Sequence, residues 1–144
     1  MAIDTSGEWW KGEGFDDLAE YLRLLTTDGY PATVFRQSRC TCGCVTFALE
    51  ADKESEGARR TCKACGTPTW MLDSAEYADE LELESCRCPC GGDTFEVGVG
   101  YSLRADGSVK WITIGERCVK CGVLGAFVDW KISSMPTEHL FEEA

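Results

Sequence analysis

A small, mainly β fold of two similar units, with one helix ahead of them, is what this sequence predicts. Three observations carry that prediction. The run Cys40-Thr41-Cys42-Gly43-Cys44-Val45-Thr46-Phe47-Ala48-Leu49 lies without a gap on Cys88-Pro89-Cys90-Gly91-Gly92-Asp93-Thr94-Phe95-Glu96-Val97. Each copy is closed by a later cysteine pair and a glycine, Cys62-Lys63-Ala64-Cys65-Gly66 and Cys118-Val119-Lys120-Cys121-Gly122. The segments that follow the cysteines alternate in the two-residue period of strands, as in Leu124, Ala126, Val128, Trp130 and Ile132.

Eight of the ten cysteines therefore fall into two sets of four: Cys40, Cys42, Cys62 and Cys65, then Cys88, Cys90, Cys118 and Cys121. Four thiolates at such spacing are the ligand set of a structural tetrahedral Zn²⁺ site, and the sequence predicts two of them. Units this small cannot fold on a hydrophobic core alone, and metal is a common substitute. A Cys-x-Cys on an extended segment places both thiols on one face. The glycine after each pair lets the chain turn back so that amides approach the sulfurs. Lys63, Lys120, Arg39 and Arg87 stand beside the ligands and moderate the net negative charge of each four-thiolate centre.

These knuckles resemble those of the zinc-ribbon family, over residues 39–73 and 87–131. The resemblance implies two tandem zinc ribbons, each a three-stranded antiparallel β unit, with the N-terminal α-helix packed on them. It implies no activity, since ribbons serve many assemblies. Two departures stand out: the first knuckles are Cys-x-Cys, and the second hairpin is long. Cys44 and Cys86 extend each run to Cys-x-Cys-x-Cys and are either alternate metal ligands or small buried residues. Iron in place of zinc, giving a redox protein, is a further alternative.

The expected organisation is an N-terminal helical segment at 1–38, a first ribbon at 39–73, an acidic linker at 74–86, a second ribbon at 87–132 and a tail at 133–144. In the leader, Phe15, Leu18, Ala19, Tyr21, Leu22 and Leu25 recur at helical spacing, with Asp16 and Asp17 suited to the first turn. A helix over 15–26 is expected, stopped by Thr26-Thr27-Asp28-Gly29 and Pro31. Ser74 is a candidate cap, and alternation over 80–84 predicts a short strand. The tail, which holds the only histidine, His139, is expected to fray.

In the second unit, Asp106-Gly107 reads as a two-residue hairpin turn. That turn pairs Arg104 with Val109, Tyr101 with Ile112, Val99 with Ile114 and Val97 with Glu116. On the other face Ser102 meets Trp111, Gly100 meets Thr113, Gly98 meets Gly115 and Glu96 meets Arg117. Gly98 and Gly100 leave room for the Trp111 ring or for the leader. The third strand is expected to put Leu124, Ala126, Val128, Trp130 and Ile132 on one core face.

The formal net charge is -11; eight thiolates add eight negative charges and two Zn²⁺ return four, which takes it to -15. That opposes phosphate backbones and suits a basic protein partner. The first residues lack the pattern of a signal peptide, so a cytoplasmic protein with reduced thiols is expected rather than a secreted disulfide scaffold. Catalysis finds little support, because four cysteines close a zinc site and His139 stands alone. The expected function is a non-enzymatic protein–protein interaction module: an adaptor, regulator or inhibitor of the immunity-protein kind. Trp9, Trp10, Trp111, Arg59 and Arg60 are its candidate partner-binding residues. The alternative is a transcription- or translation-associated protein that contacts nucleic acid or polymerase. Arg36, Arg39, Arg59, Arg60 and Lys63 would form its basic face, and the acidic tip at residues 52–57 is a weaker candidate.

Overall fold

The computed structural model describes residues 3–52, 57–132 and 137–144. Among the described residues the chain is mainly β, with one α-helix, and the strands form one antiparallel sheet. The helix is α1 (Phe15–Leu25), and β1 (Val34–Gln37) follows it. Then come β2 (Thr46–Asp52), β3 (Gly57–Cys62) and β4 (Pro68–Trp70). A 3₁₀ turn (Ser74–Glu80) and β5 (Glu84–Ser85) lead to β6 (Phe95–Leu103), β7 (Val109–Cys118) and β8 (Leu124–Lys131). The order across the sheet is β4-β3-β2-β6-β7-β8, with β1 paired to β6 and β5 paired to β2. No helix among the described residues is long and apolar enough to cross a membrane.

Helix α1 ends where its sequence says it should. Thr26 donates its hydroxyl to the Leu22 carbonyl at 2.8 Å, and Thr27 does the same to Arg23 at 2.9 Å. Both fill carbonyls that the last turn leaves free. The helix lies over the Gly98–Gly115 pair of β6 and β7. A Cβ at Gly98 would sit 2.6 Å from the Phe15 ring, and one at Gly115 would sit 2.8 Å from Leu22. The missing side chains let Leu18 and Leu22 bury completely. Trp111 does not spread over these glycines; it stacks on Tyr30 of the leader, with centroids 4.7 Å apart. The opposite sheet face carries the main core, with Leu49, Val97, Val99, Tyr101, Ile112, Ile114 and Trp130 at most 2 % exposed.

The β6–β7 ladder has the expected register from Glu96–Arg117 through Ser102–Trp111. It departs at the turn, where Leu103 rather than Arg104 meets Val109. Ser108 closes the loop by accepting from the Arg104 amide at 2.8 Å, and Gly107 has φ +89°. The loop is thus three residues with a left-handed glycine, and a bulge beyond Ser102 absorbs the offset.

A second bulge corrects the reading of β8. Between Ile114 and Gly115 of β7 the partner on β8 jumps from Val128 to Ala126. The extra residue, Phe127, reverses the facing. Val128 and Trp130 stay in the main core, whereas Leu124 packs with Leu18 and Leu22 under the helix and Ala126 is exposed.

Three other expectations change. Ser74 is not a helix cap: its buried hydroxyl accepts the Ala58 amide at 2.9 Å and ties the 3₁₀ turn to β3. The strand expected over 80–84 contracts to Glu84–Ser85, because Leu81 turns in against Gly57. The described part of the tail does not fray. Leu140 is buried and its carbonyl accepts the Tyr101 hydroxyl at 2.7 Å, Thr137 accepts the Val109 amide, and Glu143 accepts that of Leu72. His139 is exposed, 4.0 Å from Glu143. Of the acidic tip expected at residues 52–57, Asp52 and Gly57 pair at the ends of β2 and β3, and residues 53–56 lie outside the described residues.

Candidate metal centres

The structure brings Cys40, Cys42, Cys62 and Cys65 into one cluster and Cys88, Cys90, Cys118 and Cys121 into another, each with its four Sγ atoms within 4.8 Å of one another. The backbone that does this is the same in both. The Cys40 amide donates to the Cys44 carbonyl at 2.9 Å and Gly43 donates to Cys40 at 2.8 Å. At the other site Cys88 donates to Gly92 at 2.9 Å and Gly91 to Cys88 at 2.8 Å. The Cys-x-Cys segments are therefore turns rather than extended strands. Gly43 at φ +94° and Gly91 at φ +88° supply the left-handed residue that closes them. The second knuckles repeat the device: Gly66 donates to Cys62 at 2.9 Å and Gly122 to Cys118 at 2.8 Å.

Each cluster has a rooted half and an open half. Cys40, Cys62, Cys88 and Cys118 are buried; Cys42, Cys65 and Cys90 are exposed, and Cys121 is half-buried. Amides of Ala64 and Cys65 point at the Cys62 sulfur from 3.3 and 3.4 Å. The Thr67 hydroxyl and amide lower the Cys65 thiol to about 6, and the Gly92 amide lowers Cys90 to about 7. Burial pushes Cys88 and Cys121 up. Donors to sulfur favour the thiolate, the form that binds metal.

The donor sets fit a tetrahedral ion. The Sγ–Sγ separations are 3.5 Å for Cys40–Cys65, 3.6 Å for Cys42–Cys62, 3.4 Å for Cys88–Cys121 and 3.7 Å for Cys90–Cys118. Four thiolates about 2.3 Å from one ion lie about 3.8 Å apart, while a disulfide is about 2.05 Å long. Among the described residues no two cysteines are joined in a disulfide. Both clusters could therefore hold a metal ion, and four thiolates leave it no open position for a reacting ligand.

The two remaining cysteines lie outside both clusters. Cys44 is half-buried with its Sγ 3.2 Å from the Thr46 hydroxyl. Cys86 is 8 % exposed in the main core, its amide bonded to the Leu49 carbonyl at 2.8 Å.

Arg60 is a neighbour of the first centre that spacing did not reveal. It is 7 % exposed, lies 4.7 Å over the Phe47 ring and donates to the Ala144 backbone oxygen at 3.1 Å. Burial lowers its pKa, and thiolate charge on Cys40 and Cys62 opposes that shift. Alternation on β3, which buries Ala58, Arg60 and Cys62 together, was the signal available in the sequence. Arg59, by contrast, pairs with Glu50 at 2.7 Å and lies over Trp70. Lys63 in the first centre's knuckle reaches Asp93 beside the second centre at 3.4 Å.

The candidate aromatic contacts separate in the same way. Trp9 is 50 % exposed; Trp10 is 37 % exposed and meets the edge of Tyr21. Trp111 is covered by Tyr30 and donates to Asp129 at 3.0 Å. Comparison with family models, curated proteins and solved structures finds no match to this chain.

Proposed function

We propose that the protein carries two structural Zn²⁺ ions in tandem ribbon-like units and acts, without catalysis, as a protein–protein interaction module. Zinc is the ion favoured by four thiolates in a redox-neutral structural role, and a closed coordination sphere argues against metal chemistry on a substrate. The observation that carries the binding role is the distribution of exposed apolar side chains. Among the described residues, the large exposed hydrophobics are Trp9, Trp10, Leu24, Leu25, Tyr30 and Val119, all but the last on the leader. Aromatic anchors of this kind serve protein interfaces. The acidic net charge of -11 favours a basic partner.

Of the five residues of the basic face that a nucleic-acid reading requires, three are engaged within the chain, while Arg36 and Arg39 are exposed. Arg59 is paired, Arg60 is buried, and Lys63 is held by Asp93. The test is capture of the tagged protein's partners with and without nuclease, beside a Trp9→Ala/Leu25→Ala variant shown to be folded. A stoichiometric protein that survives nuclease and is lost with the variant supports the module. Partners that vanish with nuclease and are indifferent to the variant overturn it.

A further inference from the structure

One row of residues crosses four strands and ends on a cysteine at both sides. Cys62 of β3 is opposite Phe47 of β2; Phe47 is opposite Phe95 of β6; Phe95 is opposite Cys118 of β7. Directly opposed residues put their side chains on one face. All four are nearly sealed, at 2 %, 0 %, 2 % and 0 % exposure respectively. The terminal cysteines are the buried members of the second knuckles, one from each cluster. Around the row the bonding is duplicated: the Lys63 amide donates to Thr46 and the Val119 amide to Thr94, both at 3.1 Å. Each centre therefore grips the start of the strand that pairs with the other centre's strand.

We infer that the two centres load their metal ions cooperatively, through the Cys62–Phe47–Phe95–Cys118 row; this rests on the proposal that the clusters hold structural metal. Metal binding to small domains is itself folding free energy. An ion at the first centre orders β2 and β3 and so presents the edge on which β6 pairs. The second ion then meets a strand whose ordering cost is partly met, which is positive coupling between sites. The relation is reciprocal. Two units joined only by a linker would share no such ladder.

The experiment is native mass spectrometry of the reduced, metal-stripped full chain with substoichiometric Zn²⁺. Two sites that ignore each other leave about half or more of the molecules singly loaded at half-saturation, whatever their separate affinities. Between two sites of equal intrinsic affinity, as matched four-thiolate ligand sets lead one to expect, about tenfold coupling reduces that share to about a quarter. A singly loaded share below half is expected; half or more overturns the coupling. No metal-loaded species at any Zn²⁺ concentration overturns the metal reading itself. Phe47→Leu and Phe95→Leu thin the row and keep an apolar side chain. Each is expected to hold two ions at saturation with the singly loaded share raised toward half. A share unchanged from the parent protein overturns the assigned route. Asp93→Asn, which removes the carboxylate charge facing Lys63 and keeps an oxygen for the Thr94 hydroxyl, is expected to leave the distribution as it was, and a shift to half in this variant alone assigns the coupling to the ion pair instead.

Discussion

Phe47 and Phe95 hold the same place in the two copies of the repeat and are each other's partners across β2 and β6. Exchanging the copies maps this pair onto itself, so a local two-fold axis runs through it. The contact is isologous, as between subunits of a symmetric dimer, but within one chain. The result is one sheet with a four-thiolate cluster on either side of its centre.

Removal of metal by a strong chelator under reducing conditions should abolish the sheet, since the knuckles have little else to hold them. Far-ultraviolet circular dichroism is expected to lose its β signal, and added Zn²⁺ is expected to restore it. A chelated protein with an unchanged spectrum and thermal midpoint would remove metal from the account.

Ligand and spare cysteines should behave differently. Cys118→Ser takes a buried member from the second cluster and should reduce metal content at saturation from two ions to one. Cys44→Ala, outside both clusters, should retain two ions and cost about 1 kcal/mol, the centre of the range for single substitutions. Equal metal loss in the two variants would put Cys44 among the ligands.

The helix seat is sterically tight. A methyl at Gly115 meets Leu22 at 2.8 Å and Leu18 at 3.1 Å. Gly115→Ala should destabilise by about 1–3 kcal/mol through overpacking, read by urea denaturation. Gly29→Ala, with open space around it and outside the helix, is the control. Equal effects at the two positions would mean that α1 does not press on the sheet.

The final residues are part of the core. Tyr101→Phe leaves the Leu140 carbonyl buried without its donor and should cost about 1–3 kcal/mol. Leu140→Ala should cost about 2–5 kcal/mol. Wild-type denaturation midpoints for both would restore the frayed tail.

Much of this was legible because it is local or periodic. The ten-residue repeat marked both Cys-x-Cys knuckles, the helical period marked α1, and the Asp106-Gly107 turn gave the register of β6 against β7 beyond Ser102, although the loop is a residue longer and a bulge absorbs the offset. What escaped were single-residue insertions and long-range contacts. Nothing in the residues near Phe127 marks a bulge, yet one extra position sends Leu124 to the helix side and Ala126 to solvent. Nothing near Glu138 tells that Leu140 will find Tyr101. The pairing of Phe47 with Phe95 is likewise non-local, though the repeat makes it the symmetric choice. Alternation, the simplest way to align two thiols, predicts extended Cys-x-Cys segments. The left-handed glycines achieve the same end with a turn.

If two closed four-thiolate centres hold this fold, the purified protein carries their metal, and elemental analysis decides it. The protein is purified without added metal or chelator, its zinc and iron are measured by inductively coupled plasma mass spectrometry, and its free thiols are counted after denaturation. Two zinc ions per chain and ten reduced cysteines are expected. A folded protein with less than one metal ion per chain, or with its cysteines joined in disulfides, would contradict the two closed centres.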